Sequence, residues 1–311
     1  MKYLKETLSI IRETYRGWSQ ANSVMLAAAL SFYTLFSLAP LLFIAVSVAG
    51  MIFSERAVTE MLTKEVSTVV SPQTALALRT VLESRGFPRG SGWVTTIGVV
   101  AMLLGASLVF VQLKNAINML WGIAPHPKHG VFVTLRTHFL GFLMIFVVIV
   151  LLLALMVTST LLVSLNQFLQ FLPSRLVEVL PEADFGMTFV GFMILFAIIF
   201  KALPDAKTAW QDVLIGAAAT SLLFTLGGFL FGVYLGNVAL FSVYGATGSV
   251  ILILVWVNLS MNIILFGAKL TQVLANRYGS QVVPSSRAIR FTHRLEIDHE
   301  NQPPISNQST D

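Results

Sequence analysis

The 311-residue sequence contains no cysteine and few charged residues. The lack of cysteine excludes disulfide bonds, cysteine-ligated zinc and a thiol nucleophile. Only 11% of the residues are charged and 56% are apolar, whereas a soluble domain carries roughly 25% charged residues. This composition predicts an all-α, polytopic membrane protein and excludes a water-facing globular domain.

Acidic residues are also scarce where chemistry would need them, because none of the fifteen lies in the interior of an apolar run. A metal-dependent nuclease requires several carboxylates and histidines that converge on one or two cations. The candidate ligands instead occur in a proline-rich loop, at a span boundary and in the polar C-terminal tail: His126, His129, His138, His293, Glu296, Asp298 and His299. The glycine-rich turn at Tyr244 lacks the lysine of a phosphate-binding loop. We therefore expect no enzymatic activity, no catalytic residues, no metal and no cofactor.

Long apolar runs predict a six-helix transmembrane bundle over residues 23–278, with spans at about 27–53, 93–113, 139–165, 185–203, 212–235 and 246–270. Residues 1–22 have the pattern of an amphipathic helix on the membrane surface, where its basic residues would favour anionic headgroups. Residues 54–91 predict short extracytoplasmic helices. Residues 279–311 predict a polar, largely disordered cytoplasmic tail.

The basic residues predict the orientation of the bundle. Fourteen of the twenty lysines and arginines fall on the side that holds both termini. The positive-inside rule then places both termini in the cytoplasm of a bacterium, with the protein in the inner membrane. Because membrane orientation accounts for the basic excess, we expect no nucleic-acid partner.

The last span carries a polar face. Asn258, Asn262 and Lys269 point within about 40° of one another on a helix. Amides inside a membrane need partners or water. Two interpretations stay open: hydrogen bonds between helices, or the lining of a substrate or water cavity.

Further polar or kink-forming residues lie in or near the cytoplasmic halves or ends of other spans: Ser31, Thr34, Pro40, Gln112, Lys114, Asn115, Asn118, Lys201 and Asp205. Together with the polar face of the last span they predict a cavity that opens toward the cytoplasm. Lys114, Lys201 and Lys269 would form a cationic rim that favours an anionic headgroup.

Glycines spaced four apart in the fifth span predict close helix packing: Gly228, Gly232 and Gly236. This ridge suits packing inside one bundle and packing between the protomers of a homo-oligomer.

Four stretches resemble the YihY/BrkB family of bacterial inner-membrane proteins: AAALSFYTLFSLAPLL in the first span, NAINMLWGI after the second, LPDAKTAWQDVLIGAAAT before the fifth, and YGATGSVILILVWVNLSMNIILFGAKL in the sixth. The resemblance covers roughly residues 15–280. One departure is Lys269, since the family often has glutamate at this position. Any role of that carboxylate is therefore in doubt here.

The resemblance implies a six-helix inner-membrane protein without an agreed activity, linked to envelope properties and to export of lipid-like molecules. It also implies that an older ribonuclease label for the family is mistaken. Two hypotheses follow. The protein translocates or positions an amphiphile, with membrane lipids as its partners, or it is a membrane scaffold that docks an envelope protein through residues 54–91.

Overall fold

A computed structural model describes residues 2–52, 92–125, 130–169, 180–237, 240–279, 281–285 and 288–291. The extracytoplasmic segment predicted at 54–91 and most of the predicted tail lie outside these residues. So do the histidines and carboxylates of the proline-rich loop and of the tail that were considered and rejected as metal ligands.

The described chain is mostly helical. Its helices are α1 (Lys2–Gln20), α2 (Ser23–Ile52), α3 (Gly92–Leu120), α4 (Gly130–Leu169), α5 (Leu180–Ala202), α6 (Trp210–Asn237) and α7 (Leu240–Tyr278). Asn22, with a φ of 51°, lies in the turn that separates α1 from α2. Helices suit an apolar chain because every backbone polar group inside a bilayer needs a partner within the same segment.

Among the described residues, four helices contain segments long and apolar enough to cross a membrane: Val100–Leu120, Thr137–Leu155, Trp210–Tyr234 and Val250–Tyr278. A fifth span results if α1 and the start of α2, which meet at a bend of 64°, count together. Gly186–Ala202 is a shorter apolar helix. A multi-pass helical membrane protein is thus confirmed, and the count of six spans stays a prediction.

Neighbouring helices pack in a ring in which each of α2 to α6 contacts the next, and α7 closes the ring by contacting both α6 and α2. Helix α1 lies outside this ring against the C-terminal part of α7. Helix α7 also contacts α3 and α5, so it is the element around which the others are arranged.

Helices α6 and α7 approach most closely at two reciprocal glycine–threonine contacts. A Cβ on Gly216 would overlap Thr271, and a Cβ on Gly267 would overlap Thr220. Each threonine hydroxyl donates to a carbonyl in its own helix, Thr220 to Gly216 at 2.6 Å and Thr271 to Gly267 at 2.9 Å. Small residues with satisfied hydroxyls allow this close approach in a membrane.

The predicted glycine ridge lies elsewhere on α6. A Cβ on Gly228 would lie 3.4 Å from the Trp256 ring, and at Gly232 no described atom lies within 4 Å. The surroundings of Gly236 lie outside what the structure describes. The sequence pattern alone did not distinguish the ridge from the seam at Gly216, because both consist of small residues on the same helix.

We expect Gly216→Val to destabilise the folded protein by about 1–3 kcal/mol, since overpacking a tight contact forces the helices apart. Thermal unfolding in detergent would measure the loss. Gly232→Val is the matched control, because it makes the same change in the same helix at an open position. Equal destabilisation by the two variants would contradict the assignment of the seam.

Two pairs of short strands lie at the end of the bundle where α1 packs. Strand β1 (Ile123–Pro125) pairs antiparallel with β4 (Ala288–Arg290), and β2 (Ala206–Lys207) pairs antiparallel with β3 (Val283–Pro284). The chain after α7 thereby ties the α3–α4 connection to the α5–α6 connection. The sequence predicted a polar tail from residue 279, because strands of two or three residues carry no usable pattern until the helices bring them together.

Candidate functional site on helix α7

The amides of Asn258 and Asn262 bond to each other rather than to another helix. The Asn262 Nδ2 group donates to the Asn258 backbone carbonyl at 2.9 Å and to Asn258 Oδ1 at 3.2 Å. Among the described residues neither side chain bonds outside α7. The sequence allowed two interpretations of the asparagines: hydrogen bonds between helices, or the lining of a cavity. Their contacts do not support hydrogen bonds between helices.

The carbonyl oxygen of the Asn262 side chain is buried and has no hydrogen-bond partner among the described residues. Leaving such an acceptor unsatisfied costs about 1–3 kcal/mol. Six further buried polar atoms also lack hydrogen-bond partners among the described residues. They lie at the α1–α2 corner, at the start of α6 and on the face of α7 that contains Ile264. Only Asn262 lies on the face of α7 that continues to an exposed surface.

That face changes its surroundings along the helix. Ile251, Val255, Asn258, Asn262 and Lys269 lie within about 60° of one another at 100° per residue. Val255 and Ile251 are exposed by 46% and 42%, whereas Lys269 is covered by α1. The half-buried amide pair therefore lies between a part of α7 covered by protein and a part with exposed apolar side chains.

Lys269 caps the end of α3. Its Nζ donates to the Leu120 carbonyl at 3.2 Å and to Gln272 Oε1 at 2.7 Å, while Gln272 Nε2 donates to the Trp121 carbonyl at 3.0 Å. The last carbonyls of a helix lack partners within the helix and carry partial negative charge, so a lysine is favourable there. Gly122, with a φ of 69°, allows the turn that ends α3.

Helix α1 completes the surroundings of Lys269. A Cβ on Gly17 would overlap the Lys269 side chain, so α1 packs directly upon it. The Trp121 indole on the other side donates to the Ala268 carbonyl at 2.9 Å. Lys269 is thus held between α1 and α3.

Lys114, Asn118, Thr137 and Asp205 form a buried cluster, which we call the Asp205 cluster. Lys114 Nζ lies 2.9 Å from Asp205 Oδ2, with side chains 6% and 14% exposed, and donates to Thr137 Oγ1 at 3.1 Å. Asn118 Nδ2 donates to Asp205 Oδ2 at 3.0 Å, and the Asp205 backbone N–H donates to Asn118 Oδ1 at 2.9 Å. The cluster ties α3 and α4 to the α5–α6 connection.

The third predicted rim lysine lies in another place. Lys201 donates to the Thr208 carbonyl, and its Nζ lies 5.3 Å from the centre of the Trp210 ring. The three lysines of the predicted rim are therefore each engaged by different protein groups, which explains their positions without an anionic ligand.

The comparisons with known proteins agree with these residues. A family model described as "Virulence factor BrkB" matches residues 14–290. The chain belongs to the BrkB family. The match covers α2 to α7 and the C-terminal part of α1, which confirms the resemblance noted from the sequence.

Curated relatives of this BrkB-family chain are named only "UPF0761 membrane protein". One from Pseudomonas aeruginosa is 31% identical over 255 residues, covering 78% of this chain and 57% of the relative. One from Alkalilimnicola ehrlichii is 26% identical over 258 residues, covering 80% and 54%. The chain spans about half the length of these relatives, and no solved structure matches it.

The remaining predicted residues of this BrkB-family protein do not join the amide pair. The hydroxyls of Ser31 and Thr34 donate to carbonyls of α2 itself, at 2.7 Å in both cases. Pro40 packs against α3, where a Cβ on Gly105 would lie 3.5 Å from its ring. Gln112 and Asn115 lie on another face of α3, with Asn115 exposed.

The structure places Asp205, one of the residues from which the cavity was predicted, in the Asp205 cluster. Two contributors to this region were missed by the sequence analysis: Trp121 and Gln272. They gave no signal in the sequence, because their partners are backbone carbonyls that only the packing brings near. Within the described ranges no three of His, Asp or Glu are grouped so that they could hold a metal ion.

Proposed function

We propose that this BrkB-family membrane protein binds the polar group of an amphiphile at the Asn258–Asn262 pair and positions or translocates that molecule. One observation carries the proposal: the Asn262 side-chain oxygen is buried and has no partner within the described part of the chain, on a helix face that continues to exposed Val255. The amphiphile would lie along this face with its tails in the bilayer. It would be a membrane lipid or an envelope precursor.

The chemistry of the site restricts the ligand. A side-chain carbonyl oxygen accepts a hydrogen bond, so the ligand must offer a donor such as a hydroxyl, an amide N–H or an ammonium group. Lys269 is a cation on this face, and it is engaged by the Leu120 carbonyl of α3 and by Gln272. We therefore favour recognition of a hydrogen-bond donor over recognition of negative charge. This replaces the ligand expected from the predicted cationic rim, an anionic headgroup.

Lipid mass spectrometry on the protein purified in mild detergent tests this proposal. We expect one lipid class to be enriched relative to an unrelated six-span membrane protein, and to be reduced severalfold in Asn262→Leu. The matched control is Asn115→Leu, which removes an exposed amide from α3 and should leave the profile unchanged.

A lipid profile that is the same in wild type, Asn262→Leu and the unrelated protein would contradict binding at this face. The scaffold hypothesis would then take its place, with crosslinking from residues 54–91 as its test. That segment lies outside the described residues, so docking of an envelope protein there stays a prediction from the sequence, as do the inner-membrane location and the cytoplasmic termini.

A further inference from the structure

Helix α1 presents two different surfaces besides the one that packs on the bundle. Leu8, Ile11 and Tyr15 form an outward stripe, exposed by 59%, 49% and 59%. Lys5, Arg12 and Arg16 are also exposed. At 100° per residue the basic stripe lies about 90° around the helix from the apolar stripe.

The surface of α1 that packs on the protein combines polar and small groups with Trp18, whose ring contacts Phe266 at a centroid distance of 6.5 Å. Tyr278 donates to Glu6 at 2.5 Å, Arg277 donates to Ser9 at 2.7 Å, and Gly17 covers Lys269. An amphipathic helix of a soluble protein turns its apolar stripe toward the core. Here the core contacts use a different face, so the apolar stripe of α1 is left for another environment.

The start of α2 indicates what that environment is. Val24 and Met25 are exposed by 57% and 70%, and Phe32 and Phe36 extend the same kind of surface along the helix. An exposed apolar surface on a membrane helix faces lipid. The α1 stripe lies just before this surface in the chain, on the other side of the bend, and its basic neighbours complement the anionic headgroups of a membrane surface.

We infer that α1 is a membrane-docking helix whose Leu8, Ile11 and Tyr15 insert among lipids while Lys5, Arg12 and Arg16 bind anionic headgroups. The partner is the surface of an anionic bilayer. Gly17 of α1 packs on Lys269, the residue that caps α3. Docking of α1 on the membrane therefore also holds α1 in place over Lys269. This inference does not depend on the amide site and goes beyond the proposed function.

Spin labels can test it directly, because the full chain has no cysteine to remove. Single variants Leu8→Cys, Ile11→Cys and Tyr15→Cys would be labelled and reconstituted in nanodiscs. We expect the ratio of oxygen to nickel-chelate collision rates to be severalfold higher at these positions than at Gln20→Cys. Gln20 is the matched control, exposed on the far side of the same helix.

The headgroup preference is tested by comparing phosphatidylcholine nanodiscs with nanodiscs that also contain phosphatidylglycerol. The anionic lipid should raise the ratio at Ile11→Cys, and the triple variant Lys5→Gln/Arg12→Gln/Arg16→Gln should lose that response. A ratio at Ile11 equal to that at Gln20 would overturn docking. Protection from both collision partners would overturn the lipid assignment in favour of a protein contact, and a response independent of phosphatidylglycerol would overturn the anionic preference.

Discussion

Lys114→Met is expected to destabilise the folded protein by about 3–5 kcal/mol, because it leaves the buried Asp205 carboxylate without its cation. The ion pair is 2.9 Å long and both side chains are largely buried. Among the described residues the Asp205 carboxylate would keep only the hydrogen bond from the Asn118 amide, which does not neutralise its charge. Asp205→Leu should cost a similar amount, since Lys114 would then keep only Thr137 as a described partner.

The double variant Lys114→Met/Asp205→Leu should recover much of the loss, because a buried ion pair replaced by apolar groups is often close to neutral in stability. Unfolding titrations in detergent micelles would measure all three variants. The control is Glu13→Gln, which breaks the exposed Arg277–Glu13 pair at 3.9 Å and should cost about 0–1 kcal/mol. Single variants no less stable than Glu13→Gln would contradict a structural role for the Asp205 cluster.

The second large effect concerns Lys269→Glu. Losing the charged hydrogen bond to the Leu120 carbonyl should cost about 1.5–3 kcal/mol. A carboxylate at the C-terminal end of α3 adds an unfavourable interaction with the helix dipole of up to about 2 kcal/mol. Gly17 packs over this position, so the new side chain has little freedom to turn away.

The measurement is again unfolding in detergent, with Lys269→Met to separate loss of the lysine from addition of the negative charge. We expect the order of stability to be wild type, Lys269→Met, then Lys269→Glu. Lys207→Glu is the control, because it makes the same charge change at an exposed lysine. If Lys269→Glu and Lys207→Glu were equally stable, the cap assignment would fail.

These expectations alter how the site should be probed. A loss of lipid binding in Lys269→Glu would not identify a ligand contact, because the same change weakens the junction of α1, α3 and α7. Asn262→Leu is the cleaner probe. Both described hydrogen bonds of that amide lie within α7, so losing them breaks no contact between helices. The role of Lys269 as a cap also shows that this chain has a use for a lysine where the family often has glutamate.

Several parts of the site could be predicted from the sequence. The polar face of Asn258, Asn262 and Lys269 follows from helical spacing alone, and the structure places all three on α7. The grouping of the lysines could not be predicted. Lys114 pairs with Asp205, which is far away in the sequence, whereas Lys201 donates a hydrogen bond to the nearby Thr208 carbonyl. In the sequence both appear as single basic residues among apolar ones, so nothing distinguishes their partners.

The sequence by itself determined the class of the protein, because a chain with so few charges and such long apolar runs can satisfy its backbone only as membrane helices. It also determined the family, through the order of its characteristic stretches. The tertiary structure alone decided which polar groups are engaged and which are left without partners. Those partners are backbone carbonyls at helix ends and one distant carboxylate. The packing of α1, α3 and α7 brings the carbonyls near Lys269, and the packing of α3 against the α5–α6 connection brings Asp205 near Lys114.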